Sequence, residues 1–283
     1  MTKVRWAVVV IPAVLLVGAW QAAVHAVGVP TPFSEGGVPP SGEALLYDET
    51  AILRASDAQA VDYFGASVAV SGDIAVVGAS DEDGGAGDPL SNAGGAYVFE
   101  RDPGGPGSWG EVAILRAADA QAADAFGISV AVDGDTAVVG AYEEDGGPGD
   151  PLFNAGAVYV FERDLGGPGN WGQVAILRAS DTQANDRFGA SVAISADTVV
   201  VGAVGEDGGP GDPLNDAGAV YVFERDQGGP DNWGQVAILR ASDAQAGDTF
   251  VLVSVSGATI VVGAPNEDGG AGDPLTGSGA AYV

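Results

Sequence analysis

Short apolar runs separated by Gly, Pro and Asp-rich breaks make up most of the chain, and none keeps the 3.6-residue period of a helix. Residues 188–240 show the pattern most cleanly. Ser191–Ser195 is a β-rich run, turned by Ala196 and Asp197 into a second run, Thr198–Ala203. A long Gly/Asp/Pro loop, 204–217, leads to Gly218–Arg225, and a second loop, 226–232, leads to Trp233–Arg240. Four strands with short connections predict antiparallel neighbours.

These strands do not alternate apolar with polar. Thr198–Ala203 and Ala219–Phe223 are apolar on both faces, so the sheet they form must be covered on both sides. Side-chain size also grades along the unit. The first run uses Ser, Ala and Val; the third and fourth use Tyr, Phe, Ile, Leu, Trp and Arg.

The same unit is written four times. Phe64, Phe126, Phe188 and Phe250 are each 62 residues apart, as are Asp62, Asp124, Asp186 and Asp248. A fixed period of this size marks a solenoid, a propeller or an array. Two-sided burial and a small-to-large taper predict blades around an axis: an all-β propeller of four-stranded antiparallel blades. The units run over about 50–116, 117–178, 179–240 and 241–283. The last supplies three strands, whereas Ala51–Ala55 reads as a fourth strand without a blade of its own. Pairing of the two ends would close a four-bladed ring and remove an exposed edge. The alternative is an arc belonging to a larger propeller.

The N-terminal 26 residues differ. Lys3 and Arg5 precede an apolar stretch, Trp6–Trp20, and Val24-His25-Ala26 offers small residues for cleavage after Ala26. This is a signal-peptide pattern, with an uncleaved membrane anchor as the alternative. Either places the repeats outside the cytoplasm. Residues 27–49, with Pro30, Pro32, Pro39 and Pro40, read as a linker.

Composition narrows the chemistry. There is no cysteine, and the single histidine, His25, lies in the leader. That excludes a Ser-His-Asp triad, a cysteine nucleophile and a zinc site of imidazole or thiolate from the repeats. Acids outnumber Lys+Arg by 39 to 10, and Lys3 and Arg5 are two of the ten. Phosphate backbones and anionic membranes are repelled by such a surface, so neither nucleic acid nor a membrane is an expected partner of the mature domain. Cations, proteins and neutral glycans remain open. Solubility alone also accounts for an acidic surface.

Phe188-Gly189-Ala190-Ser191-Val192-Ala193, followed by Val201-Gly202-Ala203 and then Gly218–Phe223, resembles the FG-GAP repeat; Phe64-Gly65 and Phe126-Gly127 begin equivalent copies. The resemblance covers nearly everything from residue 51 onward. It implies propeller blades like those of integrin α-subunits, a role in adhesion or ligand binding, and calcium in many blades. This chain departs from it in two ways. The connection that carries the integrin calcium loop is too short for a cage here: Ser71–Asp73, Asp133–Asp135 and Ser195–Asp197. In the fourth copy Val251 replaces the glycine after Phe250.

A separate acidic cluster lies between the second and third strands. The candidate metal ligands are Asp81, Asp83 and Asp88, then Glu143, Asp145 and Asp150, then Glu206, Asp207 and Asp212, then Glu267, Asp268 and Asp273. Calcium takes six to eight oxygens on a sharply bent backbone, which closely spaced acids and glycines can offer. The alternative is a solvated loop whose acids cap turns. Asp62 and its equivalents are expected to accept backbone amides. Arg101, Arg163 and Arg225 are expected to pair with Glu100, Glu162 and Glu224 across adjacent strands, and Arg54, Arg116, Arg178 and Arg240 likewise. Trp109, Trp171 and Trp233 are expected at the outer edge of each blade.

These features predict a secreted or cell-surface, non-catalytic module that binds a protein or glycan ligand, with calcium as its only expected cofactor. A glycoside hydrolase or a structural array is the alternative. Hydrolysis needs two differently tuned carboxylates, whereas the acids here repeat identically in every unit.

Overall fold

The computed structural model describes residues 49–283 except 86, 88, 148, 150, 210, 212, 228, 230 and 270–274. The expected leader, and the linker apart from Glu49, lie outside the described residues. Among these, every named element is a strand.

Blade 1 is β1 (Ser67–Ser71), β2 (Ile74–Ala79), β3 (Gly95–Arg101) and β4 (Trp109–Leu115). Blade 2 is β5 (Ser129–Asp133), β6 (Thr136–Ala141), β7 (Ala157–Arg163) and β8 (Trp171–Leu177). Blade 3 is β9 (Phe188–Ser195), β10 (Thr198–Ala203), β11 (Ala219–Glu224) and β12 (Gly234–Leu239). Blade 4 has β13 (Leu252–Ser256), β14 (Thr259–Ala264) and β15 (Ala280–Tyr282). Within each sheet the strands lie in chain order, and every pairing is antiparallel. This is the four-bladed β-propeller expected from the pattern, with three strands in its last blade.

The taper has its expected consequence. The first strands pack on one another from blade to blade, β1 on β5, β5 on β9 and β9 on β13. Their small Ser, Ala and Val side chains permit that approach. Large residues fill the space between sheets. One core cluster joins Val76 and Val98 of blade 1 to Val130, Val132 and Tyr159 of blade 2, and the next joins Val138 and Val160 to Val192 and Tyr221. The outermost strands β4, β8 and β12 are only partly buried.

The repeated Phe-Gly pair is the joint between blades. Phe126 donates its N–H to Ala93 O of the preceding blade (3.0 Å), and Gly127 donates to Gly140 O of its own blade (2.9 Å). The Phe126 ring meets Tyr159 edge-on at 5.4 Å. Gly127 sits at φ 92°, a left-handed conformation suited to glycine. In the fourth copy Val251 is not left-handed, yet its N–H still reaches Gly263 O at 3.1 Å. The altered copy therefore keeps its strands.

Ala51–Ala55 is not a strand, and it pairs with no edge of blade 4. It lies against blade 1 instead. Ala55 is buried among Val77, Ala79, Tyr97 and Phe99, with Leu53 beside them. These are the positions that Ala117 and Leu115 take against blade 2.

Candidate functional site

The second-to-third-strand loop of blades 1, 2 and 3 meets the linker that opens the next blade. Asn185 donates to Phe153 O (2.8 Å), Arg187 to Asn154 O (3.0 Å) and Phe188 to Ala155 O (3.0 Å). Ala123, Ala125 and Phe126 repeat this with Ser91, Asn92 and Ala93. Backbone bonds thus stitch the rim at one end of the propeller, leaving its side chains free to vary.

At the centre of each linker is a buried aspartate between two left-handed residues. Asp62, Asp124, Asp186 and Asp248 are 7% exposed or less. Each accepts the amide of a glutamine three residues earlier, at 2.6–2.7 Å. This is the amide-accepting role expected from the sequence. The flanking residues have positive φ: Val61 and Tyr63, Ala123 and Ala125, Asn185 and Arg187. Non-glycine residues held there cost of order 1–3 kcal/mol each. The aspartate is the same in every copy, whereas the flanks differ in size and charge. Tyr63, Val61, Asn185 and Arg187 are exposed. So is Phe153 on the adjoining loop, where the other copies have Ser91, Asn215 and Thr276.

Burial pushes the Asp186 carboxyl up to about 7 and the Asp124 carboxyl up to about 6. The amides of Gln183 and Gln121 oppose the shift, and nearby acids, Glu206 and Glu144 first, add to it. A carboxyl whose affinity for a proton rises on folding stabilises the fold below its folded pKa and loses that contribution as pH rises through it. Each tenfold gain in proton affinity is worth about 1.4 kcal/mol. The urea midpoint is therefore expected to fall between pH 5 and pH 8. Asp186→Asn should raise the midpoint at pH 8 and flatten the profile; an unchanged profile would contradict this.

The acidic loops are arranged differently from a cation cage. Glu82, Glu144, Glu206 and Glu267 are buried. Glu144 accepts Gly147 N–H (2.7 Å) and Arg178 (2.7 Å) on one oxygen, and Gly146 N–H (2.9 Å) on the other. Glu82 and Glu206 do the same with Arg116 and Arg240. Arg116 and Arg240 also reach Asp57 and Asp181 at 3.1 Å, and Arg178 reaches Asp119 at 3.6 Å. Burial works against these guanidinium charges, but the bonds to the loop glutamates outweigh it and hold their affinity for protons above the usual value.

Asp83, Asp145, Asp207 and Asp268 each accept an amide nine residues on, at 2.6–2.9 Å. Asp81 accepts Ser80 Oγ at 2.9 Å, and Glu143 sits beside Tyr142, whose phenol burial pushes up to about 12. Asp88, Asp150, Asp212 and Asp273 lie outside the described residues. Among the described residues, no three acids converge in a way that could hold a metal ion. Among the described residues, Asp83, Asp145, Asp207, Asp268, Glu206 and Glu267 already take protein N–H groups, which disfavours calcium at those oxygens.

Two expectations about arginine are corrected. Arg116, Arg178 and Arg240 pair with loop glutamates and linker aspartates, not with the glutamates of the neighbouring strand. Arg163 pairs with Glu100 (2.9 Å) and Arg225 with Glu162, each reaching the preceding blade. Arg163 and Arg225 also reach an aspartate of their own blade, Asp135 at 3.5 Å and Asp197 at 3.0 Å. Trp109 and Trp171 lie on outer strands as expected and Trp233 directly precedes one, with Arg101 and Arg225 stacked over Trp109 and Trp233 at 5.2 and 4.8 Å.

Four stretches match the sequence model of the FG-GAP repeat: residues 47–99, 109–161, 171–223 and 233–283. The chain belongs to the FG-GAP repeat family. Each FG-GAP repeat opens on a fourth-strand sequence and ends on the third strand of the following blade, so the sequence unit and the blade are one strand out of phase. No curated protein matches the chain. Among solved structures, the computationally designed Ika4 protein is similar over 84% of this chain and 98% of its own, at 15% identity and a TM-score of 0.42.

The rim flanks escaped the sequence reading. The signal was there: Val61-Asp62-Tyr63, Ala123-Asp124-Ala125 and Asn185-Asp186-Arg187 keep the aspartate and change both neighbours.

Proposed function

We propose that this FG-GAP propeller is an extracellular, non-catalytic binding module that presents its linker rim to a protein or glycan. An FG-GAP propeller supports a binding or structural role. The observation that favours binding is the contrast within the linkers, where an unvarying buried aspartate holds flanks that change from blade to blade and are exposed at Val61, Tyr63, Asn185 and Arg187. Specificity would use that variation, and the backbone bonds of the rim permit it without loss of the fold. Placement outside the cytoplasm follows from the leader pattern.

Two features favour a role without catalysis or calcium. The linker aspartates recur with the same amide contact in all four copies, whereas a hydrolytic carboxylate pair serves one site. The loop acids act as internal fasteners. The acidic surface disfavours nucleic acid.

The purified chain should be screened on an array of neutral glycans and extracellular proteins. Tyr63→Ser, Phe153→Ser and Arg187→Ser together are expected to weaken the captured ligand at least tenfold, with a melting temperature within about 2 °C of the original. Undiminished binding would move the site elsewhere. Turnover of an array glycan, abolished by one Asp or Glu substitution, would replace this reading with an enzyme. Calcium and chelator are expected to leave the melting temperature unchanged, since only a ligand of the native state raises it.

A further inference from the structure

Each blade-to-blade interface is made from two unlike halves. The trailing face of one blade gives the side chains of Val76 and Val98 or their equivalents. The leading face of the next gives Val130 and Val132 or theirs. Three such interfaces occur, and in them Val76, Val98, Val138 and Val160 are fully buried, with Val130 and Val132 nearly so.

One half is left over at each end. On the leading face of blade 1, Val68 and Val70 are 54% and 40% exposed. On the trailing face of blade 4, Val261, the equivalent of Val76, is 38% exposed. No packing as extensive as β1 on β5 joins β13 back to β1. Among the described residues, the stitching bonds that Asn185, Arg187 and Phe188 make are not made by Val61, Tyr63 and Phe64 to Thr276, Gly277 and Ser278. Among the described residues, edge strand β15 also lacks an outer neighbour.

The two unused halves are complementary, since each is one side of an interface already formed three times. The missing outer strand is present too. Leu53 and Ala55 already lie on blade 1 where Leu115 and Ala117 lie on blade 2. A blade brought against the leading face of blade 1 therefore meets Ala51–Leu53 at its own outer edge. By the register of Ala96 with Leu115 and Tyr97 with Ile114, Ala281 would pair with Leu53 and Tyr282 with Ile52.

We propose that a second copy of this chain fills both positions. Blade 4 of one chain docks on blade 1 of the other, whose Ala51–Leu53 becomes the fourth strand beside β15. Such a contact is heterologous, and two of them close a ring. Two copies give eight blades, within the range that propellers adopt.

Light scattering on the purified chain at micromolar concentration is expected to give twice the mass of one chain. A one-chain mass, or a mass above two, would overturn the proposal. Val68→Asp with Val70→Asp spoils only the leading face, and Val261→Asp only the trailing face. These side chains are exposed in a single chain, so circular dichroism should be unchanged. Each variant alone should run as one chain. Mixed, they should recover the two-chain mass, because one junction then joins two intact faces; failure to recover would exclude head-to-tail docking. The chain has no native cysteine, so Leu53→Cys with Ala281→Cys gives an uncluttered cross-linking test. A disulfide between chains supports the shared strand. A disulfide within one chain, or none, overturns it.

Discussion

Replacing Gly140 by alanine is expected to cost more than about 3 kcal/mol, among the larger effects of single substitutions. A Cβ on Gly140 would lie 2.1 Å from Gly189 O and 2.3 Å from Ser129 Oγ. Ser129 Oγ itself donates to Gly189 O at 2.7 Å, across blades. The nearest obstacle is backbone of the next blade, so relief requires the blades to part, and the core between them is lost with the hydrogen bond. For a domain of this size the melting temperature should fall by roughly 6–12 °C. Gly134→Ala is the control. Gly134 has φ 55° with open space where a Cβ would go, and its counterpart in blade 3 is Ala196, at φ 49°. That variant should lose no more than about 1–2 kcal/mol. Equal losses would mean that backbone strain, and not blade contact, sets the cost.

Arg178→Ala is expected to lose about 3 kcal/mol, the lower end for removing one partner of a buried pair. Glu144 is 5% exposed. Without Arg178 its charge is left with two glycine amides. The low end applies because Arg178 is itself 25% exposed and water can replace part of the interaction. Adding Glu144→Gln to Arg178→Ala should recover most of the loss, since glutamine removes the stranded charge and can still accept one amide. A double variant as unstable as the sum of the two singles, read from urea midpoints, would show that the two residues are not coupled.

The architecture was legible because local and long-range signals agree. Thr198–Ala203 was read as a strand with the bounds it has, and two-sided apolarity together with the taper of side-chain size led to radial sheets. Register and partner choice were less accessible. The pairing of Arg163 with Glu100 depends on how far one blade overlaps the next, which spacing along the chain does not encode. The acidic loops admit two readings for a related reason. Asp, Glu and Gly close together suit calcium and suit a carboxylate that collects its own loop amides; only the position of Arg178, 34 residues on, separates the two. Ala51–Leu53 reads as a strand and has its packing site, but a strand also needs an edge to bond.

The one-strand offset between the FG-GAP repeat and the blade reaches beyond this chain. Any whole number of such units starts with a lone ribbon and finishes with a blade lacking its outermost member. An array that begins and ends on those unit boundaries would carry matching cohesive termini, much as staggered cuts do in duplex DNA. Gain or loss of units by recombination would leave those termini intact, and propellers of many sizes become accessible without reinventing a joint.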